Sequence, residues 1–491
     1  MAPTNPQLTL EFNYDISCPF AYIASTRVQS LAHRTHATLI YKPVLLGAIY
    51  RATAAPQGAG GSASDVFNSA KKAVTAQGMQ RTLRRYNIQY NPPPQHPRKT
   101  VNALRLLYCV TDQGKRKMLT DRLFQAYWVE GQDVNSNATL LQIARGCGIE
   151  NVGEECFTKA DARKELETST AEAIQRGAFG VPGFWVPDAM WTNVNGEKKE
   201  GRFFWGQDRL HFVEATLLAL SKSPLSFSSV RSWRDVPALK SLMPRCVPGD
   251  TPHGRVKVEF WFDFSSPWAF LGYTQLGRLK KTFGEGLEIV MKPFPLGILL
   301  REIGAPDVPG MAVSPAKLLW TRQDHADWAE YWNAVSTQDG GRKVKFFWAD
   351  IFPIRTPTVL RVALVKPETT SLLFEACWSH NQDMSDDTVL RAVLDQGGLN
   401  GADLITRANE PIVKAKLRAA TAEAKELGLC GVPTYRVLRQ GGNGEWKAVG
   451  GLVWGQDETN VVEDLIAGWD PDSSGQAAKV ARKEKGASSK L

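Results

Sequence analysis

The strongest constraint on the fold of this 491-residue chain is an internal repeat. Three motifs occur twice, in the same order and at nearly constant spacing. The corresponding positions are Cys18 and Ser266, 248 residues apart, Pro182 and Pro433, 251 apart, and Trp205 and Trp454, 249 apart. Because separate motifs keep both order and spacing, the chain is a tandem duplication. Its fold is predicted to be two copies of one domain.

Each copy begins with a strand that runs into a helix. In the second copy the alternating apolar residues 256–262 predict the strand, and Ser266 then precedes a proline at the first helical position. Such a corner directs backbone N–H groups and the positive end of a helix dipole at a bound anion. Ser266 is therefore predicted to donate a hydrogen bond to an anion, a thiolate being one candidate. The first copy repeats the corner with Asp15 and Pro19, but Cys18 takes the place of the serine.

The coarse pattern of each half is strand, helix, strand, helical insertion, helix, strand, strand, helix. This is the order of a thioredoxin fold that carries a helical domain. The predicted segments are a first domain at 1–220 with its insertion at about 48–175, a linker at 221–255 with one short helix near 235–242, a second domain at 256–469 with its insertion at about 298–425, and a disordered basic tail at 470–491. The halves are expected to pack together as a pseudo-dimer.

Composition argues against several classes of protein. Apolar residues make up 43% and charged residues 22%, as in soluble globular proteins, and no apolar run approaches the roughly 18–20 residues that a membrane span needs. The seven cysteines contain no Cys-x-x-Cys pair, which argues against a disulfide framework and a metal site. Residues 479–490 carry five basic residues and one acidic residue, so four of the nine net positive charges lie there. Nucleic-acid binding, which needs a basic face, is not expected.

The chain ends in Ser489-Lys490-Leu491. At a C-terminus this tripeptide is a peroxisomal address that an import receptor reads. We therefore expect a peroxisomal protein, and a cytosolic one if the signal is not read.

Together the motifs resemble those of the 2-hydroxychromene-2-carboxylate isomerases, which are relatives of the kappa-class glutathione transferases and of DsbA-type proteins. The shared motifs are the serine–proline corner, Gly-Val-Pro late in each half, and Trp-Gly-Gln-Asp before the last helix. The resemblance covers about 8–220 and 256–468. It implies an α/β fold with two tandem thioredoxin-like domains, each with a helical insertion, and glutathione as the cofactor.

The resemblance also implies how glutathione is held at its centre. The serine that hydrogen-bonds the glutathione sulfur matches Ser266. The cis-proline loop, whose valine backbone pairs with the tripeptide, matches Val181-Pro182 in the first half and Val432-Pro433 in the second.

The ends of glutathione are assigned in the same way. The aspartate that holds the γ-glutamyl amino group matches Asp208 and Asp457. The lysine that meets a glutathione carboxylate resembles Lys317, which we assign to the second-half site together with Asp324. Lys71 is the nearest candidate in the first half.

Cys18 departs from the family pattern. Ala21 stands where a second cysteine would be needed to resolve a mixed disulfide, so thiol–disulfide exchange is not expected. A cysteine at a helix N-terminus is nevertheless predicted to have a lowered pKa and to be reactive. The sequence leaves open whether Cys18 forms a mixed disulfide with glutathione or is a neutral substitution.

Four aromatic residues lie at helical spacing in the second insertion and predict a core or a domain interface. The alternative is that they form the wall of an apolar substrate pocket. They are Trp320, Trp328, Tyr331 and Trp332.

The resulting hypothesis is a glutathione-dependent isomerase of a conjugated, aromatic or polyketide-like small molecule, which acts by reversible thiolate addition. Three alternatives stay open: a glutathione transferase that forms a stable conjugate, a non-catalytic ligand-binding scaffold, and a thiol oxidoreductase based on Cys18. The second half has the better-preserved site. The sequence does not identify the substrate, and it does not tell whether one half or both are active.

Overall fold

The computed structural model describes residues 8–57, 66–221 and 232–472. The predicted basic tail from residue 473 onward, with its Ser-Lys-Leu end, lies outside the described residues, as does part of the linker. Each half contains a four-stranded sheet. The strands are β1 (Thr9–Tyr14), β2 (Thr38–Pro43), β3 (Gly183–Thr192) and β4 (Lys198–Trp205) in the first half, and β5 (Val256–Phe262), β6 (Leu287–Pro293), β7 (Thr434–Gln440) and β8 (Trp446–Trp454) in the second.

The two sheets have the same topology. Their strand orders are β2-β1-β3-β4 and β6-β5-β7-β8. The first two strands of each half pair in parallel, and the later two pair antiparallel. The predicted duplicated thioredoxin-like fold is confirmed.

Helices flank the sheets and form the insertions. The described helices of the first half are α1 (Pro19–Arg34), α2 (Leu46–Ala52), α3 (Ser69–Arg85), α4 (Val101–Cys109), α5 (Gln113–Trp128), α6 (Asn137–Gly146), α7 (Ala160–Gln175) and α8 (Leu210–Ser221). Those of the second half are α9 (Pro267–Phe283), α10 (Leu296–Glu302), α11 (Pro315–Asp339), α12 (Pro357–Val365), α13 (Thr370–Trp378), α14 (Asp387–Gln396), α15 (Gly401–Ala408), α16 (Pro411–Glu426) and α17 (Thr459–Ile466).

A buried aspartate fixes each strand-to-helix corner. Asp15 accepts hydrogen bonds from the Leu46 backbone N–H at 3.0 Å and from Thr100 Oγ1 at 2.6 Å. Asp263 accepts the two equivalent bonds in the second half. The carboxylate thereby ties the corner to the start of α2 or α10 and to the insertion, so this repeated aspartate has a structural role.

The described part of the linker packs against both halves. It forms two 3-10 turns, Trp233–Asp235 and Leu239–Leu242, where the sequence predicted one short helix. Ala238 lies between them in the left-handed region at φ 50°, which prevents a continuous helix. Trp233 is buried, and Tyr331 Oη donates to the Leu239 carbonyl at 2.7 Å.

The first long helix of each insertion crosses to the other half. On α3, Gln77 Oε1 accepts from the backbone N–H of Leu452 in the second half at 2.9 Å. On α11, Gln323 Oε1 accepts from the backbone N–H of Val194 in the first half, also at 2.9 Å. The two halves therefore contact each other through matching helices.

Candidate functional site

Ser266 caps the N-terminus of α9 in the second half. Its Oγ accepts a hydrogen bond from the Ala269 backbone N–H at 3.2 Å and lies 3.5 Å from the Val432 carbonyl, to which it donates. That second distance exceeds the 2.5–3.0 Å usual for an O–H···O bond. The capping bond uses a lone pair of the Ser266 oxygen and leaves the hydroxyl proton free to donate. Because the bond to the Val432 carbonyl is long, this proton is only weakly engaged. It is available to a better acceptor beside Val432.

The proline loop and the Trp-Gly-Gln-Asp turn meet next to this serine. The Val181–Pro182 and Val432–Pro433 bonds are both cis, as predicted. The Gly455 backbone N–H donates to the Pro433 carbonyl at 2.9 Å, which holds the turn against the loop. Gly455 has φ 105°, and a Cβ there would lie 2.2 Å from Asp457 Oδ1. Only glycine allows the aspartate to fold back over the turn.

The second-half proline loop and its Trp-Gly-Gln-Asp turn line a cavity of about 330 Å³ between the halves, with Ser266 behind Val432 and outside the lining. This size falls at the lower end of small-molecule sites. Its walls come from both halves of the chain. The second half contributes Trp268, Val432, Trp454, Gly455, Gln456, Asp457 and Glu458, and the first half contributes Phe20, Val74, Thr75, Gly78, Met79, Arg81, Thr82, Gln207, Asp208 and Arg209.

One guanidinium joins the two predicted aspartates. Arg209 Nη1 donates to Asp208 Oδ2 and to Asp457 Oδ2, each at 2.9 Å. Its Nε and Nη2 donate to Asp324 at 2.9 and 2.8 Å. The sequence reasoning missed Arg209. A difference between the repeats could have pointed to it. After the repeated Trp-Gly-Gln-Asp motif, the first half has Arg209 where the second half has Glu458.

The cavity holds charges of both signs. Burial, together with the neighbouring Asp457, raises the pKa of the Glu458 carboxyl to about 7. Arg81 and Arg209 face the same cavity. The site is therefore suited to a ligand that carries both an ammonium and a carboxylate group.

The two candidate lysines lie on the halves opposite to those we expected. Lys317 Nζ is 5.4 Å from the ring of Trp205 in the first half, and Lys71 Nζ is 5.7 Å from the ring of Trp454 in the second. The assignment of Lys317 and Asp324 to the second-half site was wrong in this respect, because α11 crosses to the first half. Burial, together with the charge of Lys71, lowers the pKa of Lys317 to about 8.

Cys18 is buried at the N-terminus of α1, and its Sγ lies 3.3 Å from the Val181 carbonyl. Burial raises the pKa of this thiol to about 12, although the backbone N–H groups of Ala21 and Phe20 offset part of the increase. The predicted lowering of the pKa was wrong because desolvation outweighs the helix N-terminus here.

The aromatic residues of the second insertion form a core and an interface, as predicted. Trp328, Tyr331 and Trp332 are fully buried. Trp320 contacts Trp205 of the first half, with ring centroids 5.3 Å apart.

Two classes of feature are absent from the described residues. In that part of the chain no cluster of three or more histidine, cysteine or acidic side chains has an arrangement that could hold a metal ion. No described helix combines the length and the apolar character that crossing a membrane requires.

Curated relatives of this chain share one name. The 2-hydroxychromene-2-carboxylate isomerase of Sphingobium xenophagum is 28% identical over 211 residues, which are 43% of this chain and 98% of the relative. The isomerase of the same name from Pseudomonas putida is 25% identical over 223 residues, which are 45% of this chain and 100% of the relative. Each alignment thus has the length of one half.

Solved structures with a similar fold include a 2-hydroxychromene-2-carboxylate isomerase and a probable DsbA oxidoreductase from Streptomyces coelicolor. The first has a TM-score of 0.36 and 22% identity, over 42% of this chain and 93% of that chain. The second has a TM-score of 0.33 and 19% identity, over 45% of this chain and 93% of that chain.

The family model of the DSBA-like thioredoxin domain matches residues 9–218 and 257–467, which together are most of the chain. These two ranges coincide with the two sheets and their insertions. The chain therefore belongs to the DSBA-like thioredoxin domain family, carries the domain twice, and has isomerases among its relatives.

Proposed function

We propose that the chain is a glutathione-dependent isomerase of a conjugated, aromatic or polyketide-like small molecule, with its active site in the second half. One observation carries the proposal: the weakly engaged Ser266 hydroxyl lies at a helix N-terminus beside Val432, which lines a cavity with charges of both signs. The isomerase relatives support the reaction class.

Glutathione fits the chemistry of this cavity. Its γ-glutamyl end carries an ammonium group, which Asp457 and Glu458 suit, and a carboxylate, which Arg81 suits. Val432 lines the cavity, and the backbone of a loop at such a place can offer an extended peptide strand-like hydrogen bonds.

Glutathione, when bound, supplies a thiolate that adds reversibly to a conjugated alkene and so allows the former double bond to rotate. In the proposal, Ser266 Oγ donates a hydrogen bond that stabilises this thiolate. The N-terminus of α9 adds the positive end of its dipole. Lowering a thiol pKa by ~2 units corresponds to about 2.7 kcal/mol, which one charge-assisted hydrogen bond and a helix dipole can supply.

The remaining walls suit an aromatic substrate. Phe20, Trp268 and Trp454 line the cavity. Flat apolar side chains of this kind exclude water from the reacting atoms and pack against aromatic rings.

A product assay tests the reaction. The chain is incubated with 2-hydroxychromene-2-carboxylate, the compound named in its relatives, with and without glutathione. We expect a product of unchanged mass that forms only when glutathione is present. A product heavier by one glutathione would instead indicate a transferase, binding without turnover would indicate a scaffold, and turnover independent of glutathione would contradict the cofactor.

Substitution of Ser266 tests the site. In Ser266→Ala we expect kcat/KM to fall by about 10- to 100-fold, because a hydrogen bond to the charged thiolate, which contributes about 1.5–3 kcal/mol, is lost while the helix dipole remains. Ultraviolet titration should show a higher thiol pKa for bound glutathione. Cys18→Ala, the change at the equivalent position of the first half, is the matched control and should keep full turnover. Full turnover by Ser266→Ala would exclude this role for Ser266.

A further inference from the structure

We infer that the chain binds a single glutathione, in the second half, and that side chains at two pairs of equivalent positions determine this. The pairs are Val74 and Trp320 on the crossing helices, and Cys430 and Phe179 before the proline loops. The inference rests on the proposed function and adds a stoichiometry that the duplication alone does not predict.

The equivalence of these positions follows from the repeat. Lys71 and Lys317 each donate their backbone N–H to the residue that caps the helix, and they are 246 residues apart. The same separation relates Val74 to Trp320. Likewise, Phe179 and Cys430 each precede the Gly-Val-Pro motif of their half.

In the second half the space beside the proline loop is open. Trp454 and Val432 line the cavity of about 330 Å³, and Val74 and Gly78 of α3 form the facing wall. A Cβ at Gly78 would meet its nearest neighbour, Arg81, only at 3.8 Å. Small side chains on the crossing helix therefore leave room for a ligand.

In the first half three aromatic rings occupy the corresponding space. The ring centroid of Trp205 lies 4.7 Å from that of Phe179 and 5.3 Å from that of Trp320. The Phe179 and Trp320 centroids are 5.5 Å apart. These are contact distances for packed rings. Neither the 330 Å³ cavity nor the neighbouring one of about 530 Å³ is lined by Val181 or Trp205.

A buried ion pair also occupies the first-half side. Asp324 stands on α11 where α3 has Gly78, and it binds the Arg209 guanidinium through two hydrogen bonds. Both side chains are almost fully buried. The first-half site is thus closed by the aromatic cluster and by Asp324, whereas the second half has Gly78 at the position of Asp324 and only the Arg209 end of the pair faces its cavity.

Isothermal titration of the intact chain with glutathione measures the stoichiometry. We expect one glutathione per chain. Two per chain would overturn this inference and leave the proposed function intact. No binding at all would overturn the proposed function and this inference with it.

Exchanging side chains between the equivalent positions of the two halves shows which half binds glutathione. Val74→Trp with Cys430→Phe copies the closed arrangement into the second half and should weaken binding by at least about tenfold, which is 1.4 kcal/mol. Trp320→Val with Phe179→Cys is the matched control and should leave the affinity of the second-half site unchanged within about twofold. Circular dichroism confirms that both variants are folded.

Two results would overturn the inference. One is undiminished binding by a folded Val74→Trp, Cys430→Phe variant. The other is loss of binding by a folded Trp320→Val, Phe179→Cys variant, because the ligand would then occupy the first half. If the Val74→Trp, Cys430→Phe variant does not fold, the single variant Val74→Trp is used in its place. Undiminished glutathione binding by that folded single variant would likewise overturn the inference.

Discussion

At the scale of single residues, the repeat places two different side chains at the same helix N-terminus. Ser266 and Cys18 are both 6% exposed, and each lies near the carbonyl of the valine that precedes a cis proline. A hydroxyl donates a hydrogen bond without ionising, so burial does not disable it. A thiol must ionise to act as a nucleophile. The same burial therefore leaves Ser266 able to donate a hydrogen bond but keeps the Cys18 thiol from ionising and acting as a nucleophile.

We predict that Cys18 resists alkylation in the folded protein. With its pKa raised to about 12 by burial, the thiolate fraction at pH 8 is about one in 10⁴. Mass spectrometry of peptides after iodoacetamide treatment should show much slower labelling of Cys18 than of the half-buried Cys147. Equal labelling rates, with the protein folded, would show that the thiol is ionised.

We also predict that Lys317 makes stability depend on pH. Burial lowers its pKa to about 8 in the folded chain, against ~10.4 when unfolded, so the unfolded state binds more protons between these values. Stability from this group therefore rises with pH over that window. Lys317→Met should be more stable than the parent chain by up to about 3 kcal/mol below pH 8, and the difference should vanish above about pH 10.5.

Urea unfolding at several pH values measures this effect. Lys164→Met, a change at an exposed lysine, is the control and should leave the pH profile unchanged. A Lys317→Met profile parallel to that of the parent chain would contradict the prediction.

At the scale of elements, the crossing helix α11 joins the two halves through a cluster of charges. Arg209 follows the last strand of the first sheet, while Asp324 comes from α11 of the second half. The same guanidinium binds Asp208 and Asp457, one from each half. The contact between α11 and the first half thus depends on a charge pair that is removed from water.

We predict that Arg209→Met destabilises the chain by about 3–5 kcal/mol, because it leaves the buried Asp324 carboxylate without its partner. Adding Asp324→Leu should restore part of the loss, since the most deeply buried carboxylate is then gone, whereas Asp208 and Asp457, 38% and 23% exposed, lose the same partner but stay in contact with water. Arg163→Met, at an exposed ion pair of α7, is the control and should change the free energy of unfolding by less than about 0.5 kcal/mol. Failure of the double variant to recover stability would mean that the pair acts through more than charge.

At the scale of the whole molecule, the duplication produces one structure in place of two independent domains. Arg85 of α3 binds Asp464 of α17 at 2.5 Å, and the two side chains are 5% and 0% exposed. Asp464 also accepts the backbone N–H groups of Cys246 and Val247 in the linker. First half, linker and second half therefore meet at one buried carboxylate.

We predict that the chain unfolds in a single transition in urea. Far-ultraviolet circular dichroism and tryptophan fluorescence should give coincident curves, because each half depends on a helix of the other. Arg85→Met should shift the midpoint of both curves by the same amount. Two separate transitions in the parent chain would show that the halves fold independently.

The sequence by itself determined the duplicated thioredoxin-like fold, the corner at Ser266 and the two proline loops. These features depend on local patterns, such as strand alternation, helix starts and turn residues, and the repeat presents each pattern twice. Their order and spacing were sufficient to predict the topology before any contact was known.

Only the tertiary structure decided which half each insertion serves, the ionisation of Cys18, and the meeting of Asp208 and Asp457 at Arg209. A crossing helix pairs residues that are hundreds of positions apart, and no periodicity encodes that pairing. Desolvation likewise depends on everything packed around a group, so the same helix N-terminus can favour an anion in solvent and disfavour one in the core. The physical reason is common to all three: they are set by contacts between distant segments.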